Sequence, residues 1–247
     1  MTSFTVLALI AGVFLIAGFV KGVIGMGLPT VAVGLLGLMM TPSRAAAVIV
    51  VPSLATNVWQ AVAGDSFAIV ARRLWPMFVG ICIGTWAGAV WLPDGSGGEA
   101  TVWLGVALAL YAMFGLANLH LRVPKQHERS IGLVVGIATG IVTVATGVFV
   151  IPGVPYIQAL NFDRDRLVQA LGLSFTVSTL TLAAALQHAG EMRMSVVVPS
   201  AVALAAALAS VLLGQVVRGR VSPATFRLCF FIGLLALGAH LALRGLF

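Results

Sequence analysis

The stretch from Gly18 to Thr30, Gly-Phe-Val-Lys-Gly-Val-Ile-Gly-Met-Gly-Leu-Pro-Thr, constrains this chain more than any other. It lies in a run that is otherwise apolar from Phe4 to Met40, interrupted by Gly22, Gly25, Gly27, Pro29 and Lys21, the only lysine of the first half. Such a run is too long for one ordinary membrane crossing, which takes about 20 residues. Clustered Gly and Pro leave backbone groups without helical partners, and inside a bilayer these are tolerated only where protein or a water-filled cavity receives them. The stretch therefore predicts a helix that breaks within the membrane, a device with which many carriers build an ion site near the midplane.

Composition points to the same class. Hydrophobic residues make up 60% of the 247 and charged residues 9%, with a mean hydropathy of +1.11, more apolar surface than a water-soluble domain can hide. The apolar segments are too long, and too poor in alternation, for barrel strands. The expectation is an all-α polytopic membrane protein with about eight transmembrane helices in two homologous halves, each with a Gly/Pro-broken or re-entrant half-helix. The net charge of +7 does not indicate nucleic acid, because the basic residues are sparse and mostly flank apolar spans. Cys82 and Cys229 fall inside spans and build neither a disulfide framework nor a metal motif. The start, Met-Thr-Ser-Phe, lacks the basic region of a leader and no cleavage motif follows, so it reads as a retained first helix.

In chain order, a first repeat (1–121) holds helices at about 4–24, 45–63, 74–92 and 101–120 and a half-helix at about 29–40. Thr41 to Arg44, a loop carrying Asp65, Arg72 and Arg73, and a polar turn from Pro93 to Glu99 connect them. A basic linker, 122–129, leads to a second repeat (130–247) with helices at about 130–150, 167–187, 195–216 and 223–243. Here Asn161 to Arg166 stands where Thr41 to Arg44 stood, and Gly190-Glu191 echoes Gly64-Asp65. Pro199 echoes Pro76 as the opening of a span, and Thr143 takes the place of Gly25. The echoes recur about 120 residues apart, and duplication is the economical reading. Gly80, Gly84 and Gly88 form a ladder at helical spacing, matched by Ala203 and Ala207; small residues at that period let helices approach closely, within the chain or between subunits.

The break, Lys21-Gly-Val-Ile-Gly-Met-Gly-Leu-Pro29, its looser second copy from Thr139 to Pro152, the glycine ladder and the two-halves layout resemble the sulfite exporter TauE/SafE family of membrane transporters, over essentially the full length. The resemblance implies export or uptake of small anions, often sulfur-containing ones such as sulfite or organosulfonates. Met26 between Gly25 and Gly27 departs from the family's frequent run of glycines.

A small oxyanion in a low-dielectric pocket needs hydrogen-bond donors and positive potential. A helix N-terminus supplies both, and Pro29 fits a first turn because its missing N–H would be idle there. Pro152 or Pro155 is the matching start of a partner half-helix. Lys21 either adds a full charge to such a site or ends the first helix and snorkels to the interface. The candidate binding residues are Lys21, Gly22, Gly25, Gly27, Thr30, Asn57 and Gln60 in the first half and Thr139, Thr143, Thr146, Gly147 and Ser178 in the second. For each Ser or Thr the alternative is a bond back to its own helix, and for Asn57 and Gln60 a bond between helices. Arg44, Arg164 and Arg166 could gather anions at one mouth, with Asp163 and Asp165 as pairing partners for the latter two. All seven acids fall in expected loops.

The reading is a secondary transporter, an exporter, for a small anion bound at the midplane between the repeats of a multi-pass protein of the cell (inner) membrane. No catalytic constellation, cofactor or metal motif is expected. An anion channel, or a membrane-embedded scaffold or enzyme without transport activity, is the alternative. A coupling ion (proton or cation) and a homo-oligomer are partners that the reading allows. On an eight-span path a cytoplasmic N-terminus puts Arg72, Arg73, Arg122, Lys125, Arg129, Arg193 and Arg244 inside and Arg44, Arg164, Arg166, Arg218 and Arg220 outside, which favours that orientation.

Overall fold

The computed structural model describes residues 4–91, 98–117, 121–220 and 222–244. Its helices are α1 (Phe4–Ile24), α2 (Leu28–Leu36), α3 (Pro42–Val62), α4 (Phe67–Trp91), α5 (Gly98–Ala117), α6 (Glu128–Thr146), α7 (Gly153–Ala159), α8 (Arg164–His188), α9 (Val197–Val217) and α10 (Pro223–Arg244). Single 3-10 turns occur at Lys125–His127 and Met194–Val196, and no strand occurs among the described residues. Every helix except α2 and α7 is long and apolar enough to cross a membrane, which gives the eight expected spans. The two exceptions follow the two Gly/Pro breaks. The expected turn from Pro93 lies outside the described residues up to residue 97, as does the end of the fourth span at 118–120, including His120.

Both breaks are made by glycine in the left-handed region, where a Cβ is unfavourable. Gly25 (φ 88°) donates its N–H to the Lys21 carbonyl at 2.7 Å and closes α1, and Gly27 (φ 104°) follows before α2 starts with Pro29 in its first turn. Gly147 (φ 73°) donates to the Thr143 carbonyl, also at 2.7 Å, and closes α6. Two expectations change here. Gly147, not Thr143, has the geometry of Gly25, and α6 stops at Thr146 instead of running to about 150.

Other boundaries shift because a distant side chain supplies the cap. Gln169 of α8 donates to the Ala61 carbonyl at 2.8 Å and the Gly64 carbonyl at 2.6 Å, and accepts from the Ser66 N–H at 3.1 Å. These bonds satisfy the end of α3 and the turn after it, so α4 begins at Phe67. Arg72 and Arg73 are therefore helical, and Pro76 sits inside α4 instead of opening it. Asp163 caps α8 by accepting the Arg166 N–H at 2.9 Å, which brings Arg164 to Arg166 into the first turn. Glu99, Glu128 and Asp165 likewise stand in first helical turns, not loops, where the helix dipole favours negative charge. Pro52, inside α3, denies the Val48 carbonyl its usual donor, and Ser200 of α9 donates to that oxygen at 3.3 Å.

The helices pack as close pairs held by small residues. A Cβ on Gly80 or Gly84 of α4 would strike the backbone of Leu133 or Ile137 in α6, and Gly136 and Gly140 of α6 meet Met77 to Thr85 in return. The glycine ladder thus serves packing within the chain. Gly18 and Gly22 of α1 lie against Ala207, Ser210 and Gly214 of α9 in the same way. Later residues meet later residues in both pairs, so each pair is parallel. In contrast α5 and α10 are antiparallel (Gly105 on Ala242, Gly115 on Phe231), and so are α3 and α8 (Gly64 on Gln169, Ala61 on Gly172).

The two short helices reverse the chain. α2 runs from Gly27 beside Phe230 to Gly37 beside Leu104, and Arg244 donates to the Leu38 carbonyl at 2.8 Å; it therefore travels with α10 and against α5. α7 starts at Gly153 beside Thr139 and returns to Tyr156, whose hydroxyl donates to the Glu128 carbonyl at 2.8 Å, so it retraces α6. The path thus has alternating legs, with α1, α3, α5, α7 and α9 in one direction and the other five opposed to them. The packing is reciprocal: the first helix of each half meets the fourth of the other, α1 on α9 and α6 on α4.

Candidate functional site

The centre of α3 carries Ser53, Thr56, Asn57 and Gln60, spaced so that all four share one face of the helix. Lys21, in the last turn of α1, reaches this face. Its ammonium donates to the Thr56 hydroxyl at 3.1 Å and to the side-chain carbonyl of Asn57. Only 6% of Lys21 is exposed, so its stem does not snorkel to the surface. No carboxylate pairs with it among the described residues. The Thr56 hydroxyl donates its own hydrogen bond to the Pro52 carbonyl at 2.9 Å, which leaves its oxygen free to accept from Lys21.

Four buried polar groups have no hydrogen-bond partner among the described residues: Thr30 Oγ1 in the first turn of α2, Ser53 Oγ and Asn57 Nδ2 on α3, and Ser178 Oγ on α8. All are buried, and each such group costs about 1–3 kcal/mol if it stays unmet. The antiparallel register of α3 and α8 brings Ser178 to the level of Ser53 to Asn57. That register is fixed below by Ala61 on Gly172, and above by Ala47 and Val50 packed with Leu182 and Leu186.

Gln60 has a different task. Its carboxamide donates to the Gly25 carbonyl at 3.2 Å and the Val168 carbonyl at 2.8 Å, which ties the α1–α2 break to α3 and α8. Gly25 has nothing within 4 Å of where a Cβ would stand, whereas Gly22 is taken up by α9 and Gly27 lies against Val20 and Phe230.

The hydroxyls of the second-half candidates on α6 bond within their own helix instead of to this cluster. Thr139, Thr143 and Thr146 each donate to the carbonyl one turn back, on Val135, Thr139 and Val142, all at 2.7 Å. Thr146 also accepts the Val148 N–H at 3.1 Å and helps shape the second break. Gly147 packs on Ala46 and Val33, which brings that break against α2 and α3. The position one turn before the break glycine is thus Lys21 in one half and the self-satisfied Thr143 in the other.

Sequence reading missed Ser53, Thr56 and Gln169. The first two were visible as the rest of a polar stripe at helical period with Asn57 and Gln60. Nothing local marks Gln169, whose partners are about 100 residues away in sequence. Arg44 begins α3 and Arg164 and Arg166 begin the oppositely directed α8, so the three do not share one mouth. Arg166 pairs with Asp163 at 3.3 Å.

Over residues 10–241 the chain matches the family described as Sulfite exporter TauE/SafE. The chain belongs to this family. Neither the curated proteins nor the solved structures hold a significant match. Membership makes the protein a multi-pass membrane transporter of the sulfite-exporter type, and its eight span-length helices agree with that. For a TauE/SafE member the cluster is chemically apt. An ammonium, three hydroxyls and a carboxamide N–H can all donate hydrogen bonds, and among the described residues no carboxylate pairs with the ammonium.

Proposed function

We propose that this TauE/SafE protein is a secondary carrier that exports a small sulfur oxyanion, sulfite or an organosulfonate, bound near the membrane midplane by Lys21, Thr30, Ser53, Asn57 and Ser178. The observation that supports it is a buried lysine with neutral partners beside buried donors that the protein does not satisfy. A lysine at mid-bilayer costs roughly 2.5–3.5 kcal/mol on insertion scales, and an anion offsets that cost while accepting the idle donors. The reciprocal packing of the two halves supports a duplicated architecture in which alternating access comes from one half moving against the other. Gln60 is a positioning residue in this reading, since it anchors the break whose far side carries Thr30.

The test is concentration-dependent flux in proteoliposomes across sulfite, sulfate, thiosulfate, sulfonates and short carboxylates. Saturable flux of a sulfur oxyanion, weakened by Lys21→Gln, is the expected result. Flux of none of these anions would overturn the reading.

A further inference from the structure

A cavity of about 210 Å³ lies on the other side of the α1–α2 break, lined by Met26, Tyr111, Gly115, Gln158, Arg227 and Phe230 among others. It is smaller than the ~300–1,000 Å³ of pockets for drug-sized ligands. Its volume suits a small ion with a few waters at ~30 Å³ each. Arg227 supplies a guanidinium and Gln158 a carboxamide, both on exposed positions at the rim. At the inner wall the Tyr111 hydroxyl donates to the Met26 sulfur at 3.3 Å and closes the cavity against the break. Lys21 lies one turn before Gly25, on the α1 side of the same break.

The alternating legs decide which end of the molecule this cavity serves. It opens where α5 and α7 end and α10 begins. The same end holds the α3–α4, α5–α6, α7–α8 and α9–α10 connections and therefore Arg72, Arg73, Arg122, Lys125, Arg129, Arg164, Arg166, Arg218, Arg220 and Arg227. Only Arg44, Arg193 and Arg244 stand at the opposite end with the first residues of α1. An eight-span path would have divided these charges almost evenly. The reversals through α2 and α7 turn that division into ten against three, a clear bias for cytoplasmic placement of the charged end.

We propose that the cavity bounded by Arg227, Gln158 and the Tyr111–Met26 contact is an anion-binding vestibule open to the cytoplasm, with both ends of the described chain on the opposite side of the membrane. This rests on the carrier reading for its role in transport, but its sidedness and its anion preference stand apart from it. The ligand class is a compact sulfonate or sulfite-like anion, held by the guanidinium and loaded toward Lys21 when the Tyr111–Met26 contact opens.

The experiment uses the full chain with Cys82 and Cys229 replaced by serine and one cysteine introduced, either Gln158→Cys in the cavity or Met194→Cys in the α8–α9 connector, where Met194 is 87% exposed. Whole cells and inverted vesicles are treated with two membrane-impermeant methanethiosulfonates, one bearing a sulfonate and one a quaternary ammonium. Gln158→Cys should react from the cytoplasmic side alone, and Met194→Cys from the outside alone. Relative to a free thiol in solution, the ratio of sulfonate to cation reaction rates in the cavity should rise on the order of tenfold, as field focusing in a charged cleft allows. Arg227→Gln should abolish that preference and Arg227→Lys should retain most of it, which separates loss of charge from loss of fold. Reaction from the reversed sides, or a sulfonate preference unchanged in Arg227→Gln, would overturn the proposal. If labelling behaves as expected while the wild type carries no sulfur oxyanion, the vestibule stands and the carrier reading fails.

Discussion

Lys21 and Asn57 meet inside the protein, the ammonium of the one donating to the side-chain carbonyl of the other, while the Asn57 amide nitrogen has no partner among the described residues. Together they present a cationic donor and a neutral donor side by side. Lys21→Gln should keep the fold and raise the apparent KM for the transported anion. A charge-assisted hydrogen bond contributes about 1.5–3 kcal/mol, which corresponds to roughly ten- to a hundredfold. Lys21→Arg should restore only part of the affinity, because a planar guanidinium does not fit where a compact ammonium does. Flux against anion concentration at matched protein levels checks this, and an unchanged KM in Lys21→Gln would remove Lys21 from the site.

The two sets of hydroxyls should respond differently. Thr30→Val and Ser178→Ala remove buried donors without partners among the described residues, so both should weaken anion binding by several-fold at unchanged or higher thermal stability. Thr143→Val removes a hydroxyl that only bonds back to Thr139, and its transport should be nearly that of the wild type. Equal losses in all three variants would mean that the sites are not distinguished by their local bonding.

At the α1–α2 break the cost of a side chain is conformational before it is steric. Gly25 has open space around it but φ of 88°, so Gly25→Val should be clearly worse than Gly25→Asn, since asparagine tolerates the left-handed region. The expected difference is about 1–2 kcal/mol in stability, read as a shift in the thermal transition in detergent. Flux should fall in the same order, because the Gly25 carbonyl is what Gln60 holds.

On the α4–α6 seam, sterics dominate. The Cβ of Gly84→Ile would lie 2.8 Å from the Ile137 Cα, so folded yield should drop steeply. Gly12→Ala is the contrasting case: nothing lies within 4 Å, and the variant should gain about 0.5–1 kcal/mol from helix propensity. Size-exclusion profiles and thermal denaturation of both variants test the contrast.

Arg73 and Glu128 join α4 to α6 through two hydrogen bonds, at 2.6 and 2.9 Å, and Arg73 also donates to the Leu160 carbonyl and lies over the Phe162 ring at 4.6 Å. A double-mutant cycle with Arg73→Ala and Glu128→Gln should give a coupling of about 0.5–2 kcal/mol, more than a typical exposed ion pair. A coupling near zero would mean that the seam is held by the glycines alone.

The sequence determined the class and the breaks. Apolar runs of span length can only be helices in lipid, because every backbone group must be bonded within its own segment, and that logic placed the eight spans within a few residues except for the start of α4. Gly25, Gly27 and Pro29 carried their own conformational meaning, so the first break was legible, as was the polar character of Asn57. The tertiary structure decided what each polar residue does. Gln60 and Asn57 lie one turn apart and read alike in sequence, yet one is consumed by the carbonyls of Gly25 and Val168 while the other keeps an idle donor. It also decided where the spans begin, since Gln169 caps a helix end about 100 residues away, and which way each leg runs, since α2 and α7 are too short to read as crossings. These outcomes depend on contacts between residues far apart in the chain, and local periodicity holds no record of them.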